Sequence, residues 1–132
     1  MAHGGHSQAF PLRHRQMSLA DTTQVALDTA MRGDWARQTL ITNNIANANT
    51  PGYQRETLNF QGALRAALAS GQSPANVALT PETQSGSAGP EGNGVDVDQE
   101  SALLSENGLE YEAIVQVMGA RDEILRSAMG IA

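Results

Sequence analysis

The sequence predicts a mainly α fold: two long helices at the N- and C-terminal ends form an antiparallel coiled-coil hairpin, joined by a turn, a short helix and a flexible linker. Three observations carry this prediction. Apolar residues recur at helical spacing over two long windows, one near each end of the chain. A Thr50-Pro51-Gly52-Tyr53 break closes the first window, and the stretch before the second is dominated by Gly, Ser, Pro, Thr, Gln and Asn. The 132 residues suit one folding unit rather than two separate cores.

Residues 1–16 read as an extension, carrying His3, His6 and His14 with Arg13 and Arg15 but no apolar run. Residues 17–50 form the first helical segment. Leu27, Met31, Trp35, Ile41, Ile45 and Ala48 fall on one face of a helical wheel. As a heptad, Leu27, Met31, Asp34, Gln38, Ile41, Ile45 and Ala48 alternate spacings of four and three, which sets Asp34 and Gln38 in the seam. Residues 51–95 hold the turn, a short helix marked by Phe60, Leu64, Ala67 and Leu68 with Gly71 as its stop, and a linker from Ser70 to Gly94.

Residues 96–132 form the second long helix, expected from Asp98 to Met129. Leu104, Asn107, Tyr111, Ile114, Met118, Arg121, Leu125 and Ala128 sustain its heptad. Val117, Ile124 and further apolar residues beside that seam make a face too broad for one neighbouring helix to cover. Arg121, at a seam position, is free to pair across the hairpin with Asp34, although the sequence does not fix the register.

Composition narrows the function. Eight basic residues, all arginine, stand against fourteen acidic ones, a net charge of -6, so the cationic surface of a nucleic-acid binder is missing. The lack of cysteine removes disulfides, thiolate metal sites and a cysteine nucleophile. No apolar run is long enough to span a bilayer, and no cleavable secretory signal is visible. The three histidines lie in a Gly-containing tail without acidic partners, so no metal site is expected. Ser, Asp and His fall in no catalytic motif, so no enzyme, cofactor or small-molecule substrate is expected.

The most unusual stretch is Asn43-Asn44-Ile45-Ala46-Asn47-Ala48-Asn49-Thr50-Pro51-Gly52-Tyr53. Asparagine is a poor choice for the last turns of a helix, so something other than helix propensity selects this run. Read plainly, Asn47 or Asn49 takes a left-handed helix cap. Read functionally, Asn43 and Asn47, four apart, carry paired amides that bond to another element or subunit. Gly92-Asn93-Gly94-Val95-Asp96-Val97-Asp98 lacks the further ligands of a calcium loop; Gly92 and Gly94 are expected to turn the chain, and Asp96 and Asp98 belong to this turn and cap, with Asp98 capping the helix.

These residues resemble the flagellar basal-body rod proteins. Asn44 to Tyr53 looks like the signature that rod, hook and hook-associated proteins share near their N-termini. Asn59-Phe60-Gln61 with Leu64 and Leu68, and Gly92 to Glu100 followed by Leu104, Glu106-Asn107, Leu109 and Tyr111, are similar to segments of the proximal rod members. The short middle favours those members over longer relatives, which carry a strand-rich insert. The resemblance implies a structural subunit, exported through the flagellar type III apparatus without a cleaved signal and assembled in the rod, in the periplasmic space. Its implied partners are sister copies, other rod proteins, the rod-ring adaptor and the membrane ring. A cytoplasmic helical-hairpin adaptor or export chaperone would share the heptads and acidity, but not the asparagine run followed by Pro-Gly-Tyr.

Overall fold

The computed structural model describes residues 18–84 and 94–131. In chain order these form α1 (Leu19–Ala46), β1 (Glu56–Thr57), α2 (Phe60–Ser70), a 3-10 turn (Pro74–Asn76), β2 (Glu82–Thr83) and α3 (Val97–Ala128). The two long helices pack together as an antiparallel hairpin: Ala20 lies beside Arg121, Asp34 beside Asn107, and Asn44 beside Glu100. The His-containing extension and Gly92 lie outside the described residues.

Each helix end has a local cause. Ser18 caps α1, its hydroxyl accepting from the Asp21 N–H at 3.1 Å. At the other end Pro51 and Gly52 occupy the centre of a turn closed by Tyr53 N–H to Thr50 C=O at 3.2 Å. Gly52 takes φ 75, the positive value that the third position of a type II turn requires. No residue other than glycine has positive φ among those described, so neither Asn47 nor Asn49 makes the expected left-handed cap. Asn47 ends α1 at φ -104 instead. At the start of α3 the cap is Asp96, not Asp98: the Asp96 carboxylate accepts from the N–H groups of Asp98 and Gln99 at 3.0 and 3.1 Å. Asp98 then sits in the first turn, where its negative charge complements the helix dipole.

Part of the expected linker is structured. The 3-10 turn docks on α1 through the Thr29 hydroxyl, which donates to the Pro74 carbonyl at 3.3 Å. β2 pairs antiparallel with β1, Glu56 opposite Thr83 and Thr57 opposite Glu82. Leu79 packs against the core. The anchoring groups are a threonine, a proline and backbone amides rather than an apolar run, which explains why composition alone reads as a linker.

The core centres on Leu40, Leu58 and Phe60, with Ala30, Ala36 and Leu79 around it. Phe60 fits because α1 carries glycine at 33: a Cβ there would stand 2.5 Å from the Phe60 ring. α1 therefore buries Thr29, Gly33, Asp34, Leu40, Ile41 and Asn44. This arc is turned away from the aliphatic wheel, and Trp35, expected in the same row as Ile41, faces outward at 68 % exposure. The inner face serves α2 and the small sheet as well as α3, and close approach there favours small and hydrogen-bonding residues over bulky ones.

Candidate assembly site

The asparagine run lies where α1 ends beside the start of α3. Asn44 is completely buried. Its amide nitrogen donates to the Glu56 carbonyl at 2.9 Å and to Glu100 Oε2 at 3.1 Å. Its amide oxygen accepts from the Glu56 N–H at 3.0 Å and the Tyr53 hydroxyl at 3.2 Å. Both donors and both acceptor positions are thus used, the full capacity of an asparagine side chain. Glu100, equally buried, receives Arg55 Nε on its other oxygen at 2.7 Å. One amide therefore joins the end of α1, the first strand of the small sheet and the first turns of α3. Burial, with Glu56 and Glu100 nearby, raises the Tyr53 pKa, which keeps its hydroxyl protonated as the donor to Asn44.

The paired amides expected at Asn43 and Asn47 do not reach another element of this chain. Asn47 works locally: its side-chain nitrogen donates to the Asn43 carbonyl at 2.8 Å, and its side-chain oxygen accepts from the Thr50 hydroxyl at 3.2 Å. Asn43, Ala46, Asn49, Thr50, Pro51 and Gly52 remain exposed around this corner, while Ile45 and Tyr53 are partly buried.

Halfway along the hairpin a second polar cluster crosses the seam. Asn107, 1 % exposed, donates to the Asp34 carbonyl at 2.9 Å and accepts from Arg37 Nε at 2.6 Å. Arg37 also pairs with Asp34 at 3.0 Å and with Glu110, and its guanidinium lies 5.3 Å from the Phe60 ring centre. The Asp34–Arg121 pair that the sequence permitted does not form, because the antiparallel register carries Arg121 to the far end, where it donates to the Ala20 carbonyl at 3.1 Å. Arg37 and Arg55 hold these two clusters together and escaped sequence reasoning. Arg37 stands three residues after Asp34, a helical ion-pair spacing that offered a signal; Arg55 offered none, since its partner lies 45 residues away.

The apolar seam residues divide. Ile41 is buried, and Leu27, Met31, Ile45, Leu104, Ile114 and Met118 are partly buried. Tyr111, Val117, Ile124 and Leu125 lie open on α3, as do Leu109 and Val115, with Met129 and Ile131 open just beyond its end. Tyr111, Val117, Ile124 and Leu125 share one side of α3, and no element of this chain covers them among the described residues. Among the described residues there is no group of His, Asp and Glu that could hold a metal, and no helix is long and apolar enough to cross a membrane.

Comparison with known proteins points to one family. Residues 20–54, which comprise nearly all of α1 and the asparagine corner, match the family model described as flagella basal body rod protein. The flagellar basal body rod protein FlgB of Bacillus subtilis is 30% identical over 128 residues, covering 86% of this chain and 97% of the relative. That of Aeromonas hydrophila is 32% identical over 109 residues, 70% of this chain and 81% of the relative. That of Escherichia coli K12 is 29% identical over 105 residues, 64% and 76% respectively. With the asparagine corner inside the matched segment and the likeness running through both helices, this chain belongs to the FlgB family of flagellar basal body rod proteins.

Proposed function

We propose that the chain is a structural subunit of the proximal flagellar rod, exported through the flagellar type III apparatus without a cleaved signal and required for motility. In this reading it packs in the periplasmic space against sister copies, other rod proteins and the rod-ring adaptor on the membrane ring. The observation that carries the reading is the pairing of one locked and one open region. Asn44, Glu100 and Arg55 fix the two helices relative to each other, while α3 leaves Tyr111, Val117, Ile124 and Leu125 uncovered. A fixed hairpin with an uncovered apolar face suits repeated head-to-tail contacts, which build a helical tube when they do not close into a ring. Asn43, Asn49, Thr50, Pro51 and Gly52, exposed beside the lock, supply polar and backbone groups to the same interfaces.

A tagged chain expressed in its own flagellated host tests this. It should copurify with detergent-extracted basal bodies and resist removal by salt, since apolar contacts are not screened. Confinement to the soluble cytoplasmic fraction would instead favour the adaptor or chaperone reading.

A further inference from the structure

Two carboxylates, Asp34 and Glu110, share the single guanidinium of Arg37 at the junction of α1, α2 and α3. Asp34 is 1 % exposed. Its Oδ1 accepts from Arg37 at 3.0 Å, whereas its Oδ2 is buried with no hydrogen-bond partner among the described residues. From α3 it is faced by Glu110 and by the neutral amide of Asn107. From α2, Gln61 donates to Glu110 at 2.9 Å, and the exposed Arg65 lines the same groove as Asp34. The Arg37 nitrogen that reaches Asp34 also serves Glu110, and its Nε serves Asn107. An ionised Asp34 therefore sets two carboxylates against one guanidinium, with Asp34 the fully buried member, while a neutral Asp34 leaves Arg37 and Glu110 as a balanced pair.

We propose that this junction is a proton-operated latch: packing of α2 and α3 onto α1 takes up a proton at Asp34, so the hairpin tightens as neutral surroundings turn mildly acidic. Burial pushes the Asp34 carboxyl from its ordinary 3.8 up to about 6; Arg37 opposes this and Glu110 adds to it. Between those values the folded chain binds a proton that the unfolded chain does not. The stabilisation is complete below the lower value and is lost as pH rises through the upper one. Going from pH 7.5 to 5, this residue alone favours the folded state by roughly tenfold.

The test uses the full-length protein labelled with carbon-13 aspartate. The Asp34 carboxyl signal is titrated by NMR, and the folding equilibrium is measured by urea unfolding at pH 7.5 and 5, for the wild type, Asp34→Asn and Glu110→Gln. The expected result is an Asp34 midpoint near 6 that moves down in Glu110→Gln, and a wild-type gain on acidification about tenfold larger than that of Asp34→Asn. A wild-type midpoint at or below 4, or equal pH dependence in wild type and Asp34→Asn, overturns the proposal. Should Asp34→Asn not fold, the titrations of the wild type and Glu110→Gln decide alone.

Discussion

Asn44→Ala is expected to destabilise the folded chain by about 3 kcal/mol, since the truncation strands buried polar groups rather than merely losing contacts. The Glu56 N–H and C=O and the Tyr53 hydroxyl lose their amide partner, and Glu100, with no exposure at all, keeps only Arg55. Asn43→Ala is the matched control: that side chain is exposed, and its loss should fall within about 0.5 kcal/mol of wild type. Urea unfolding followed by circular dichroism measures both. An Asn44→Ala protein as stable as Asn43→Ala would mean that the corner is held by its backbone turns alone. In the basal body the same variant should assemble poorly, because the relative placement of the two helix ends is what the amide fixes.

The second large effect is at Phe60. Phe60→Ala should cost about 3 to 5 kcal/mol, the range for emptying a well-packed aromatic site. The ring is 1 % exposed, lies against Gly33 and is grouped with Leu40 and Leu58. Backbone atoms of α1 line its slot, so the site cannot collapse fully and the cost should fall toward the upper end. Amide hydrogen exchange adds a spatial readout: α2 should lose protection before α3, since Phe60 is the anchor that holds α2 to α1. Leu68→Ala, at a position 45 % exposed on the same helix, should cost less than about 1 kcal/mol. Equal costs at the two positions would contradict the placement of the core.

The hairpin was legible because both long helices carry heptad spacing, Pro51-Gly52 breaks the chain after the first, and a Gly-Asp turn precedes the second, although the cap there proved to be Asp96 and not Asp98. It did not show which arc of α1 faces inward. Hydrophobic patterning selects Trp35, whereas the buried arc is formed largely by Thr29, Gly33, Asp34 and Asn44: glycine makes room for Phe60, and Thr29 and Asn44 make hydrogen bonds far along the chain. The small sheet was illegible for a related reason. Each strand has two residues, too short for an alternating pattern, and its pairing is supported by Asn44, twelve residues before Glu56.

The asparagine run was legible as unusual but not in its division of labour. Spacing suggested Asn43 with Asn47 as a pair, since residues four apart share a helix face. Burial assigns the reach between elements to Asn44 and leaves Asn47 to tie the local turn. Only the position of the opposite helix separates these roles, and that position depends on Glu100, 56 residues away.

The most direct measurement of the central claim is electron cryomicroscopy of basal bodies isolated from a strain lacking this gene, beside the same strain complemented. A structural subunit of the proximal rod predicts membrane rings without a rod or hook in the deletion, and complete structures on complementation. Complete rods and hooks in the deletion strain would contradict the account.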